Sequence, residues 1–319
     1  MKNDPLTAIV RSLELMGGVF LDAEFTAPWA ITAHVTEEDC RPFMPVPKQV
    51  IAFHVVTEGT TLVSTNAAGE FWAHTGDVVI LPSNDLHVLA SDPSVPHVTG
   101  DDLLLPADGQ GLVRIRHGGG GERTRILCGF LASQATPSPL ISSLPPLLVV
   151  SLKDVATLNW VEASIAMAAR ELSAGRVASA GMMSSLAELL FIESMRAHLE
   201  RQEPGKGWFA GMADRQIARA LARIHGELDR PPAVTDLADL AGMSRSAFVD
   251  RFTEIIGMAP GRYLLEQRIQ AARLMLRESS LSLAEIAHRV GYDAPESFSR
   301  AFKRETGATP LTYRTGDGG

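Results

Sequence analysis

The C-terminal third of the chain repeats itself, and an internal repeat restricts the fold more tightly than composition can. One copy reads LADLAGMSRSAFVDRFTEIIGMAPGRYL over 237–264; the other reads AEIAHRVGYDAPESFSRAFKRETGATPLTY over 284–313. Ala238 matches Ala287, Gly242 matches Gly291, Phe248 matches Phe298 and Phe252 matches Phe302. The register continues through Gly257 and Gly307, Pro260 and Pro310, Tyr263 and Tyr313. The second copy gains one residue, between the turn glycine and the first phenylalanine. A small alanine lets a first helix approach a second closely, and the glycine permits a sharp turn between them. Ser244 and Asp293 then stand as N-caps of the second helices. Asp293 with Glu296, and Ser282 with Glu285, have capping-box spacing. Each phenylalanine pair is spaced i,i+4, so it shares one face and anchors its helix in a core.

The opposite face follows from roughly 100° of rotation per residue. It presents Ser246, Val249, Asp250 and Thr253 in the first unit, and Glu296, Ser299, Arg300 and Lys303 in the second. Arginine suits guanine and glutamate suits cytosine in a major groove. Arg245, Arg251 and Arg304 are placed for phosphates. Residues 262–278, with Leu265, Ile269, Ala272 and Leu276 on one stripe, predict a stiff connecting helix. It would hold two reading helices over successive grooves, about 10 base pairs apart. Charge agrees: residues 1–211 carry 14 Lys and Arg against 23 Asp and Glu, whereas 212–315 carry 15 against 13. Only one end of an acidic chain is suited to nucleic acid.

Over about 214–314 the sequence resembles the AraC/XylS family of transcription regulators, through MSRSAFVDRF and SLAEIAHRVGYDAPESFSRAFKRETGATPLTYR. The resemblance implies a double helix-turn-helix domain that binds double-stranded DNA, tethered to an effector or dimerisation domain. Homodimerisation and contact with RNA polymerase are further expectations.

Residues 29–130 read as β-structure, with short β-branched and aromatic runs at 50–56, 69–73 and 77–81. Pro93, Pro96, Pro106 and glycines 118–121 predict a long surface loop over 91–122. After Pro145 and Pro146 the pattern turns helical, over 157–175 and 179–202, with Gly175 as a break and 204–211 as a linker. The expected class is α+β: a cupin-like effector or sensor barrel over 1–150, a helical linker and dimerisation region over 151–211, and an all-α DNA-binding domain over 212–319. The run from Gly76 to His87 (GDVVILPSNDLH) resembles the second motif of cupin barrels, with Asn84 in place of its usual glycine. FHVVTEG over 53–59 resembles the strand that closes the first motif.

Metal-binding cupins carry an HxH pair and a carboxylate before that strand, and residues 45–52 supply neither. What remains is His54, His87 and Cys128, each on an expected strand. Ala52, His54 and Val56 share one face by the period-two rule. Two imidazoles and a thiolate could hold Zn²⁺, with water or Cys40 as the fourth ligand. The same cluster could lower the Cys128 pKa for oxidant sensing, or fill the barrel as packed, hydrogen-bonded side chains. His34, His74, His97 and His117 are assigned to surfaces or loops. With two cysteines there is no disulfide framework, and with no apolar run long enough to span a bilayer a cytoplasmic location is expected.

The leading expectation is a non-enzymatic transcription factor controlled by a small molecule, metal or oxidant sensed in the barrel. Two alternatives stand beside it: a cupin-type metal-dependent enzyme with a DNA-binding tail, and a helical module that binds protein.

Overall fold

The computed structural model describes the 319-residue chain except residues 1–4, 14, 42–46, 106–111, 134–138, 153–154, 174–178, 202–206, 227–229, 280 and 315–319. Two compact units result: Glu14–Arg201, and Met1–Leu13 together with Gln202–Gly319. Helix α1 (Pro5–Ser12) therefore belongs with the C-terminal unit.

The first unit runs β1 (Met16–Thr26), β2 (Ala30–Ala33), α2 (Glu37–Cys40), β3 (Gln49–Glu58), β4 (Thr60–Thr65), β5 (Gly69–His74), β6 (Asp77–Leu81) and β7 (His87–Ala90). It continues with β8 (Val98–Thr99), a 3₁₀ turn (Gly100–Leu103), β9 (Val113–Gly118), β10 (Arg123–Ser133), α3 (Pro139–Ser142), β11 (Leu148–Ser151), α4 (Val155–Ser173) and α5 (Ser179–Arg201). Six strands form one sheet in the order β11-β6-β3-β10-β1-β9; five form the other in the order β5-β4-β7-β2-β8. One hydrophobic cluster draws on both sheets, with Phe25, Trp29, Val56, Leu81, Leu89 and Phe130 at its heart. Alternation decides which side chains enter it: Ile126, Cys128, Phe130 and Ala132 all point inward from β10.

Two expectations change here. Strand pairing begins at Met16, because β1 lies between β10 and β9. The segment 91–122 is not one loop: β8, the 3₁₀ turn and β9 lie within it. β9 pairs in parallel with β1, Leu21 against Val113 through Thr26 against Gly118. Pro106 and Gly175 fall outside the described residues. Helices α4 and α5, expected as a connector, pack on each other, and α5 packs on β1.

The C-terminal unit continues with α6 (Trp208–Ala213), α7 (Arg215–Gly226), α8 (Val234–Ala241), α9 (Arg245–Ile256), α10 (Pro260–Glu278), α11 (Leu283–Arg289), α12 (Pro295–Thr306) and α13 (Pro310–Arg314). Helix α6 occupies the second half of the expected linker, where Trp208, Phe209 and, just beyond it, Met212 are buried. The repeat extends one helix further back than the matched motifs. Ile217, Ala220 and Ile224 of α7 are buried, as are Ile269, Ala272 and Leu276 of α10. Phe248–Phe252 and Phe298–Phe302 each have ring centroids 5.6 Å apart. Tyr263 meets Phe252 edge-on at 5.7 Å, and Tyr313 meets Phe302 edge-on at 5.4 Å. Gly242 and Gly291 both take positive φ, at 69° and 76°, as the turn after the first helix requires.

Candidate functional site

Each second helix of the repeat is set by its cap and its buried pair. Ser244 Oγ accepts from Ala247 N at 3.3 Å and starts α9. Ser282 and Glu285 form the full capping box of α11, with Glu285 Oε2 accepting from Ser282 N at 2.8 Å. Asp293 is not the cap of α12. The cap position falls on Ala294, since Pro295 takes the first helical position and lacks an N–H to be capped.

The buried phenylalanines turn the outward face as the helical wheel requires. Ser246, Asp250 and Thr253 are exposed and Val249 is half-buried; Glu296, Arg300 and Lys303 are exposed and Ser299 is half-buried. Thr253 Oγ1 donates to Val249 O at 2.7 Å, so that hydroxyl is engaged with its own helix. The cations divide into two groups. Arg251 is tied to Asp214 through Nε at 2.9 Å, and Arg304 to Glu305 at 3.1 Å. Glu305 is shared with Arg262 at 2.6 Å. Arg245 and Lys303 have no such tie among the described residues, and Arg300 makes only a 3.3 Å bond to Ser297 Oγ. Free cationic charge on the outward faces thus concentrates at Arg245, Arg300 and Lys303.

The barrel brings His54, His87 and Cys128 together. Register places Cys128 of β10 opposite His54 of β3. Cys128 Sγ lies 3.0 Å from His54 Nδ1, and His54 Nε2 lies 2.7 Å from His87 Nε2. His87 Nδ1 lies 2.8 Å from the backbone oxygen of Asp85. That carbonyl can only accept, and it fixes every proton in the chain. His87 must donate from Nδ1, which leaves Nε2 as acceptor. His54 must then donate from Nε2, which leaves Nδ1 to accept from the Cys128 thiol. Burial holds both imidazoles below their ordinary value, His54 well below and His87 at about 4. The mutual influence of the two rings lowers His54 further. Burial also pushes the Cys128 thiol up, reinforced by Asp22. This is the reverse of the lowered thiol that oxidant sensing would use.

The three residues do not fit a zinc site. His54 spends one nitrogen on each neighbour, in a line rather than around a centre, whereas zinc needs ligands converging on one point. Among the described residues no group of three or more His, Cys, Asp or Glu could hold a metal ion. Cys40 is packed in the hydrophobic cluster, its thiol raised to about 11 by burial and by Asp39 and Glu37.

The relay forms one polar wall of a cavity whose apolar lining includes Phe20, Leu21, Ile31, Leu89, Val113 and Ile115. Its volume is about 70 Å³, small beside most ligand pockets. Asn84 anchors two residues of the lining, Val35 and His34. It takes φ 52°, the left-handed conformation that the usual glycine would supply. Its side chain accepts from Val35 N at 3.0 Å and donates to Val35 O at 2.8 Å. It also meets His34 Nε2 at 3.3 Å. His34, assigned to the surface, is exposed yet lines the cavity. Asp39 and Asp101 line it too and were missed. The Thr36–Asp39 capping spacing is visible in sequence, but where that helix points is not.

A two-sheet barrel with a cavity, followed by paired helix-turn-helix units, defines a DNA-binding transcription regulator with a cupin-type domain. Residues 4–200 match the family described as Cupin, and residues 237–316 match that described as Helix-turn-helix domain. A putative AraC-like transcription regulator of Streptomyces lividans is 34% identical over 83% of this chain and 87% of its own. The HTH-type transcriptional regulator AlkR of Acinetobacter baylyi is 26% identical over 98% of this chain and 99% of its own. Among solved structures, ToxT from Vibrio cholerae covers 94% of this chain and 97% of its own, at 12% identity and a TM-score of 0.32. The chain belongs to the AraC-type transcription regulators with an N-terminal cupin domain. It is a transcription regulator that binds DNA. No helix among the described residues is long and apolar enough to cross a membrane.

Proposed function

We propose that this regulator is controlled by a small molecule held in the barrel cavity, whose occupancy changes how the paired units engage DNA. The observation that carries this reading is the cavity itself: an apolar interior with one ordered polar wall, open to solvent at one end. Control requires the ligand to bind two conformations unequally. A small molecule is favoured over the other two signals weighed. Zinc would require His54 to abandon a neighbour, and oxidant sensing would start from a thiol that burial keeps protonated. We place the protein in the cytoplasm, where such a regulator meets DNA and RNA polymerase.

Base reading rests chiefly on α12 in this proposal, through Arg300 and Lys303 with Glu296, and on Ser246 and Val249 of α9, with Arg245 placed for phosphate. Asp250 faces the same way and repels phosphate, so it restricts how α9 can enter a groove. The partner in binding is a second copy. Trp160 and Met167 of α4, and Met182 and Leu189 of α5, are exposed at a spacing of seven residues on each helix. Trp160 and Met167 are each 51% exposed. This is the pattern of a helical seam.

Genome-wide mapping of bound sites tests the DNA reading. Arg300→Ala should lose about tenfold or more in affinity for the mapped site, and Lys303→Ala should lower the salt slope by about one. No preference for any genomic fragment over random sequence would end this reading. The effector reading is tested by filling the cavity with Ala33→Phe. Site occupancy in cells should then stop responding to growth conditions, with the melting profile retained. Occupancy that still responds as in the parent would end the effector reading. Trp160→Glu should shift the protein to monomer in sedimentation; an unchanged dimer moves the seam elsewhere.

A further inference from the structure

Both second helices of the repeat are fastened to the helix that precedes their unit, by ion pairs of opposite polarity. In the first unit the acid lies outside the reading helix. Asp214, at the junction of α6 and α7, receives Nε of Arg251 on α9 at 2.9 Å and its Nη2 at 2.5 Å. In the second unit the acid lies on α12 itself, where Glu305 receives Nη1 of Arg262, in the first turn of α10, at 2.6 Å. Each time the acid is the sheltered partner, with side chains 11% exposed for Asp214 and 10% for Glu305.

Asp214 joins three helices. Its N–H closes α6 on Ala210 O at 3.1 Å. Its Oδ1 caps α7, accepting from Gln216 N at 2.9 Å and Ile217 N at 3.0 Å. Its Oδ2 remains for Arg251. Burial opposes its ionisation, yet the bonds from Ile217 N, Arg251 and Gln216 N outweigh it and hold the carboxyl below its ordinary value. The place of Arg251 on α9 agrees with this tie. It follows Asp250 by about 100° of rotation, off the exposed face of Ser246, Asp250 and Thr253 and toward buried Phe248, three residues back. A phosphate would have to draw the guanidinium from a carboxylate that already meets it through two nitrogens. We infer that Arg251 is a positioning residue: held by Asp214, it fixes the roll of α9 about its axis, decides which bases Ser246 and Val249 meet, and contacts no phosphate. This rests on the DNA reading above and specifies how one of its helices is aimed.

The affinity penalty for each single-base change in the mapped site, measured by gel shift with the full chain, separates the cases. Arg300→Ala marks the half of the site that α12 reads. In the parent a wrong base in either half should cost about fivefold or more. Arg251→Ala should shrink that penalty to about twofold or less in the α9 half alone, with the salt slope unchanged. Asp214→Asn, which keeps the capping oxygen and loses the charge, should do the same, and Arg251→Lys should recover part of the discrimination. Thermal melts check that the variants are folded at the assay temperature. A uniform loss of affinity in Arg251→Ala, with the salt slope lowered by about one, makes this residue a phosphate contact and overturns the proposal. Penalties that shrink equally in both halves, or not at all, also overturn it and leave the DNA reading intact. A parent with no preference for any sequence ends the DNA reading itself, and this assignment with it.

Discussion

At His54 a single side chain determines the protonation of its surroundings. It lies between a thiol and a second imidazole, and only one ordering of protons satisfies all four members down to the Asp85 carbonyl. That ordering exists only while both rings are neutral. In the unfolded chain each imidazole titrates near 6.5; in the fold His87 titrates at about 4 and His54 well below its ordinary value. Between those limits the unfolded state binds more protons, so acid favours unfolding. Stability should be full above about pH 6.5, fall as pH drops toward 4, and lose a few kcal/mol in all. Melting the full chain from pH 7.5 to 4.5 checks this. His87→Asn should flatten the slope of the barrel transition, and an unflattened slope would place the sensitivity elsewhere. His225, half-buried against Tyr263 and also held at about 4, adds a similar slope to the other unit. The three relay residues were legible from strand alternation and the Gly76–His87 motif. The direction of their protons was not, because it is set by a backbone oxygen that no side-chain pattern reports.

Between elements, Arg268 has a role that sequence periodicity could not disclose. It sits on α10, and its Nε and Nη2 donate to Val290 O at 2.5 Å and Gly291 O at 2.6 Å. Its guanidinium lies 3.8 Å from the centre of the Tyr292 ring. The connector thereby grips the turn of the second helix-turn-helix unit. In the first unit Gln216 of α7 plays the equivalent part, donating to Ala241 O at 3.0 Å. Arg268→Ala should destabilise the C-terminal unit by roughly 2–3 kcal/mol, from lost charge-assisted bonds. Arg268→Lys should recover only part of this, since an ammonium lacks the planar fork. Hydrogen exchange at α11 and α12 would register both, and full protection in Arg268→Ala would dismiss the grip. The helices of this unit were legible because their contacts are local and their caps and phenylalanines recur. β9 was not, because its partner β1 lies some ninety residues earlier and its neighbours are proline and glycine, which read as loop.

For the whole molecule, the two-part organisation was visible in composition, but its seams were not. Helix α1 packs with the C-terminal unit: it contacts α7, and Leu6, Ile9, Val10 and Leu13 are buried. Nothing local in this short apolar run names a partner two hundred residues away. Val10→Asp would place an unpaired charge in that packing, costing roughly 3 kcal/mol or more. Faster amide exchange in α7, with the barrel strands unaffected, is the expected signature; equal protection in α7 would detach α1 from that unit. Excising residues 212–319 as a stand-alone fragment also strips away this helix and bares the greasy surface it covers. Any purification handle fused ahead of Pro5 is in effect grafted onto the half of the protein that handles DNA. A well-behaved minimal fragment would have to carry its own first helix back, stitched on by an artificial linker.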